Sequence, residues 1–319
     1  MNSFLILLAL SLNSYALLPE RQEKSGIGQD YSNTFSLDLA GSDDYRLGDE
    51  WGKKPVTLDS LRNESEAFKR AALATARTGG GTGFFLGKFE GEYVLATNHH
   101  VYQYAYSCLG TRIRFPMLAI EGTCDRFIGS WSDVDLAIFT IKLKNPQVDG
   151  PKLEAVAGNF AFSEDVTAGQ KLLTVGFGVA NNPSRTLVAN QDSDCYVFSK
   201  KGEYRFMADP DRYNPGSYRA WSFSLGCDVS HGDSGSAIVD RESGKVVGII
   251  WTGNIPKTPI VQTSRALTEI FEKQSEAIWQ ELSYAVPAVK IGEHLTKLSE
   301  EVSRPARDRK LLKAVLADN

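Results

Sequence analysis

Between residues 74 and 251 the chain is built from short apolar runs, each closed by Gly, Asn or Asp. Gly83-Phe84-Phe85-Leu86-Gly87, Tyr93-Val94-Leu95-Ala96, Leu136-Ala137-Ile138-Phe139-Thr140-Ile141, Leu172-Leu173-Thr174-Val175 and Val246-Val247-Gly248-Ile249-Ile250-Trp251 have strand length and are rich in β-branched and aromatic residues. No long helical pattern alternates with them, so the pattern predicts antiparallel sandwiches or barrels rather than a wound parallel sheet. The period changes near Ser264, where Leu267, Ile270, Phe271, Ile278 and Leu282 fall on one helical face. Residues 284–289 read as strand again, and a second helical stretch runs over 290–302. Residues 58–74 begin with a short helix capped by Asp59 or Ser60.

The flanks have a different texture. An apolar run over residues 4–12 is too short to span a bilayer, which needs about 20 residues. It fits the hydrophobic region of a secretory signal peptide, and Ser14-Tyr15-Ala16 supplies small residues for a cleavage site after Ala16. The expected organisation is a signal peptide over 1–16, a polar arm or propeptide-like segment over 17–64, a folded domain over 65–302, and a basic tail over 303–319. Without a second long apolar segment, the mature chain is expected to have no membrane partner.

Composition narrows the function. At 42% hydrophobic and 23% charged, the chain has material for a full core. Lys plus Arg number 35 against 39 Asp plus Glu, a formal charge of −4, so nothing points to nucleic acid. Four cysteines, an even number on an exported chain, suggest two disulfides, with three pairings open. They form no Cys-x-x-Cys and do not cluster with the histidines, so neither a metal nor a cofactor is expected. The triple glycine at 79–81 lacks the Gly-Lys-Ser or Gly-Lys-Thr of a phosphate loop.

Three separated motifs carry chemistry. His231-Gly232-Asp233-Ser234-Gly235-Ser236 sets a serine among glycines, where the backbone turns sharply and N–H groups, those of Gly232 and Ser234, can meet a developing oxyanion. A serine hydroxyl needs a base. Ala96-Thr97-Asn98-His99-His100-Val101 closes a predicted strand with two histidines, and Ser132-Asp133-Val134-Asp135-Leu136-Ala137-Ile138 leads an acid into another strand, where it can fix an imidazole tautomer. Each motif alone has an ordinary structural reading. Taken together they follow the order His, Asp, Ser, and His100, Asp135 and Ser234 are 35 and 99 residues apart. The Gly-x-Ser-x-Gly elbow of another hydrolase fold is absent, because Ser236 stands where its second glycine belongs.

On these residues the sequence resembles the chymotrypsin-like, or trypsin-fold, serine peptidases over roughly residues 65–302. It looks closest to the bacterial exported branch that includes glutamyl endopeptidases and trypsin-like relatives. The resemblance rests on Gly81-Thr82-Gly83-Phe84-Phe85, the Thr-x-x-His turn, Asp-Leu-Ala-Ile, and Cys227-Asp228 followed by Gly232-Asp233-Ser234-Gly235-Ser236. It implies an all-β fold of two six-stranded antiparallel β-barrels with a C-terminal helix, and a site in the cleft between them. The family's Thr three residues before the base selects His100 over His99. Asp135, directly before the Leu-Ala-Ile strand, is selected over Asp133. His231 and His294 are left with rim and surface roles.

The resemblance further implies acyl transfer by a Ser-His-Asp triad on protein or peptide substrates, in a secreted or periplasmic monomer. By analogy, Cys108 pairs with Cys124 and Cys195 with Cys227. Asp228, six residues before the serine, falls at the floor of the primary pocket, implying a preference for Arg or Lys. Val229, Ile250, Trp251, Thr252 and Gly253 would form its walls. The histidine that glutamyl endopeptidases use should fall near Ile250, so acidic substrates are not implied. In digestive relatives the Asp at 233 binds a new amino terminus starting Ile-Val-Gly-Gly; no such segment stands upstream of Gly83, and activity without that switch is expected. The rival reading is a catalytically silent binding protein on the same fold.

Overall fold

The computed structural model describes residues 42–317. The expected signal peptide lies outside the described residues, as do residues 17–41 of the arm and residues 318–319. Six strands close the first barrel: β2 (Thr75–Arg77), β3 (Thr82–Phe89), β4 (Glu92–Thr97), β5 (Arg112–Phe115), β6 (Ile120–Trp131) and β7 (Leu136–Leu143), in the order β2-β3-β4-β7-β6-β5. Its interior is filled by buried Phe85, Leu95, Ile113, Phe115 and Phe139. These come from the apolar runs of the sequence, because alternate strand residues face one side.

The second unit is an antiparallel sheet of eight strands, and it differs from the expected second closed barrel. Besides β1 (Lys53–Pro55) it holds β8 (Leu172–Gly176), β9 (Val188–Asn190), β10 (Arg205–Ala208), β11 (Arg219–Leu225), β12 (Ala237–Asp240), β13 (Val246–Gly253) and β14 (Ser283–Pro287), in the order β1-β9-β8-β12-β13-β14-β11-β10. The six central strands, β9 to β11 in that order, would close if β9 met β11. Each of those edges instead takes an added strand: Lys53 pairs with Asn190 on one side, and Phe206 with Trp221 on the other. Residues 195–198, just after β9, span part of the gap: Phe198 N–H donates to the Ser224 carbonyl of β11 at 2.9 Å, and Val197 bridges Leu225.

The arm is therefore less marginal than its composition suggests. Tyr45, Leu47 and Val56 are buried, and β1 is a sheet member. A helix over Glu66–Ala74 follows, capped by the Ser65 side chain, which accepts from the Phe68 N–H at 3.2 Å. The expected Asp59 or Ser60 start is instead a 3-10 turn, Ser60–Asn63.

The amphipathic stretch after Ser264 is a helix, Ser264–Lys273, ended by Gln274 in the left-handed region at φ 47°. Ile278 then sits in a separate 3-10 turn, Glu276–Trp279. Phe271 of this helix packs edge-on against Tyr196 and Phe198. A closing helix occupies Ala288–Glu300. The expected basic tail is also helical, Ala306–Ala317, with Leu311, Leu312 and Val315 buried and Asp308 paired to Arg126 of β6. No helix among the described residues is long and apolar enough to cross a membrane.

Candidate active site

His100 follows the end of β4, and Asp135 precedes β7; β4 and β7 are neighbours, with Thr97 opposite Ala137. The 35-residue interval is thereby closed. His100 Nδ1 lies 2.9 Å from Asp135 Oδ2, and the His100 backbone N–H donates to Asp135 Oδ1 at 3.1 Å. Asp135 is fully buried, and its backbone carbonyl accepts from Asn98 Nδ2 at 2.9 Å. Its φ of 33° is strained for a residue with a side chain. Burial works against charge on His100, but the Asp135 carboxylate and its hydrogen bond outweigh this and hold the imidazole pKa above its ordinary value.

The competing residues are occupied elsewhere. His99 Nδ1 lies 2.7 Å from Ser130 Oγ, and burial lowers its pKa. Asp133 pairs at 3.1 Å with His294 of the closing helix, whose hydrogen bond lowers the Asp133 pKa. His294, expected on the surface, is thus largely covered. His231 Nε2 lies 2.8 Å from Asp211, a second histidine–carboxylate pair beside the first.

Ser234 lies on the turn before β12, on the second sheet. It lines one cleft with His100, Val229, Ser230, His231, Trp251 and Thr252. Thr82, at the start of β3, joins the barrel to this turn: its N–H donates to the Ser234 carbonyl at 2.8 Å, and its hydroxyl donates to the Gly232 carbonyl at 2.7 Å. The His231 carbonyl accepts from Val179 N–H at 2.9 Å and the Asp233 carbonyl accepts from Ser236 N–H at 2.8 Å. In a trans peptide the N–H points opposite to the C=O. The N–H groups of Gly232 and Ser234 therefore face away from those partners, and neither donates to a backbone carbonyl among the described residues. Gly232 sits at φ 90°, and a Cβ there would come within 2.6 Å of the Phe177 carbonyl oxygen, so glycine alone fits the turn.

The expected pocket residues divide. Val229, Trp251 and Thr252 line the cleft; Asp228, Ile250 and Gly253 do not. Ile250 is core, its carbonyl accepting from Gly235 N–H at 3.0 Å. Gly253 pairs with Ser283 in β14. Asp228 faces the arm: Oδ1 accepts from Leu47 N–H at 2.7 Å and Oδ2 from Gly52 N–H at 2.6 Å. Burial pushes its carboxyl up to about 8 against the pull of those two N–H groups. The carboxylates that do reach the cleft are Asp209 and Asp211. Sequence reasoning also missed Tyr218, whose hydroxyl lies 2.9 Å from His100 Nδ1 and whose ring stacks on the imidazole. It comes from a loop without motif character, far from either histidine in sequence. The cysteines pair as the resemblance implied, Cys108 with Cys124 and Cys195 with Cys227; the second pair tethers the segment that leads to Ser234.

A sequence profile of the trypsin-like peptidase domain matches residues 81–249. The chain belongs to the trypsin-like peptidase family. It is thereby a serine endopeptidase by family, and the matched span contains both histidines of the turn, both candidate acids and the serine. No curated protein matches the chain. Among solved structures, the inactive form of the Rv3671c protease aligns at 18% identity and a TM-score of 0.45, over 76% of this peptidase and 96% of that chain. The active form of that protease, from M. tuberculosis, aligns at 17% identity and 0.43, over 76% and 87%. A serine endoprotease from Yersinia pestis aligns at 16% identity and 0.44, over 77% and 67%.

Proposed function

We propose that the peptidase cleaves internal peptide bonds through Ser234, His100 and Asp135. Ser234 Oγ attacks the carbonyl carbon while His100 Nε2 takes its proton, and Asp135 holds the imidazole by Nδ1. The oxyanion is met by the N–H groups of Gly232 and Ser234. His100 then protonates the leaving amine, and water releases the acyl group from Ser234 by the reverse steps. The observation that carries this reading is the 2.9 Å contact of His100 Nδ1 with Asp135 on the rim of the cleft that Ser234 lines. The two disulfides support an oxidising compartment, secreted or periplasmic.

A preference for Arg or Lys finds no open carboxylate at Asp228, which the arm occupies. The acids on the cleft wall are engaged as well: Asp209 accepts from the Gly216 and Asp211 N–H groups, and Asp211 pairs with His231. The test is a fluorophosphonate probe on the purified protein beside Ser234→Ala, followed by cleavage-site profiling. Labelling of the wild type alone is the expected result. A folded wild type that stays unlabelled is the silent binding module instead.

A further inference from the structure

Asp233, one residue before the nucleophile, is fully buried, and its carboxylate is the hub of the turn. Oδ2 accepts from the Ser230 N–H at 2.8 Å and from the Ser230 hydroxyl at 3.2 Å, while Oδ1 accepts from the Gly178 N–H at 3.1 Å. Space for it is provided at Gly178, where a Cβ would come within 2.3 Å of Oδ2. The remaining partner is Lys53 Nζ, on Oδ2. Its side chain is 2% exposed. Strand alternation explains which lysine enters: in β1, Lys53 points inward and Lys54 outward. Backbone pairing of Lys53 with Asn190 fixes where Nζ arrives.

The same stretch of arm reaches the other end of the turn. Leu47 and Gly52 give their N–H groups to Asp228. Residues 47–53 thus hold two carboxylates of the serine turn, Asp228 before Gly232 and Asp233 between Gly232 and Ser234. A buried carboxylate left without its cation must take up a proton or swing out to water. Either response loosens the bonds to Ser230 and Gly178 that shape the turn.

We propose that Lys53 is a positioning residue: it supplies the counter-charge that fixes Asp233, and through it the N–H groups of Gly232 and Ser234. Residues 45–53 are then a permanent part of the working peptidase rather than a leader to be removed. The inference deepens the proposed function and rests on it for the role of the two N–H groups.

Lys53→Met keeps the length of the side chain and deletes its charge; Lys53→Arg restores a cation. The full chain is used, with three readouts: kcat and KM on a cleaved peptide, affinity for a peptide boronate, and amide hydrogen exchange of the 229–236 segment by mass spectrometry. Lys53→Met is expected to lower kcat by about 100-fold, the scale of one lost oxyanion donor. KM should change less than about threefold, boronate affinity should fall with kcat/KM, and exchange should rise within 229–236 while the first barrel is unchanged. Lys53→Arg should recover about tenfold of the loss.

Wild-type turnover and exchange in Lys53→Met overturn the proposal. So does exchange that rises across the whole chain with no rescue by Arg, which makes Lys53 a general stabiliser. The exchange readout needs no catalysis. An unlabelled, inactive wild type therefore removes the triad reading, while the response of 229–236 still decides whether Lys53 holds the turn.

Discussion

Thr82 is the best place to test the join between barrel and serine turn. Its hydroxyl donates to the Gly232 carbonyl at 2.7 Å and accepts from the Phe177 N–H at 3.1 Å, and the residue is wholly buried. Thr82→Val keeps the branched shape but leaves that carbonyl and that N–H unpaired. Each buried group left without a partner costs about 1–3 kcal/mol, so the expected loss of stability for the two is roughly 2–6 kcal/mol. Thr82→Ser keeps the hydroxyl and loses one methyl group, at about 1 kcal/mol. Urea unfolding measures both. The second readout is the rate of fluorophosphonate labelling under conditions where both variants are folded. Valine releases the Gly232 peptide, and a small displacement there should slow labelling about 10- to 100-fold, whereas serine should label near the wild-type rate. Equal destabilisation by Val and Ser, or a wild-type labelling rate in Thr82→Val, would refute the claim that this hydroxyl sets the turn.

Other outcomes follow from the same geometry. His100 must be neutral to act as base, and Asp135 holds its pKa above the ordinary 6.5, so the acidic limb of the kcat/KM profile should have its midpoint above pH 6.5. Asp135→Asn removes the raising charge; the midpoint should move down, with activity lower by up to about 10⁴-fold, and an unmoved midpoint would separate the limb from His100. Asp228→Asn should leave the ratio of cleavage after Arg and after Leu within about twofold of wild type, as measured on a peptide panel, because Asp228 faces Leu47 and Gly52 rather than the cleft. Truncation after residue 302 should cost about 5 kcal/mol or more in denaturant unfolding, because Leu311, Leu312 and Val315 are buried; an unchanged midpoint would make the last helix dispensable.

What was legible in the sequence was local chemistry. The histidine turn, the acid before β7 and the serine among glycines each have short-range requirements, and their order placed them on two units. His100 and Asp135 bond to each other, while His99 and Asp133 engage Ser130 and His294. What was not legible is non-local and without period. Tyr45, Leu47 and Val56 are isolated apolar residues in a polar stretch, and they are buried by contacts far along the chain. Lys53 looks like half of a solvated Lys-Lys pair until β1 fixes which of the two turns inward. The edges of the second unit carry short strands with weak signals, β1 and β10, which no apolar period marks. The last helix did leave a trace in Leu311, Leu312 and Val315, but the charged residues around them masked the face.

The pairing of β1 with β9 also bears on the order in which a new chain matures. Lys53 is made early, yet its backbone partners lie at 188–190 and its carboxylate at 233. Contacts so distant along the polymer close slowly and late. The contact between Lys53 and Asp233 spans 180 residues of chain, so it can close only after most of the second sheet has been made.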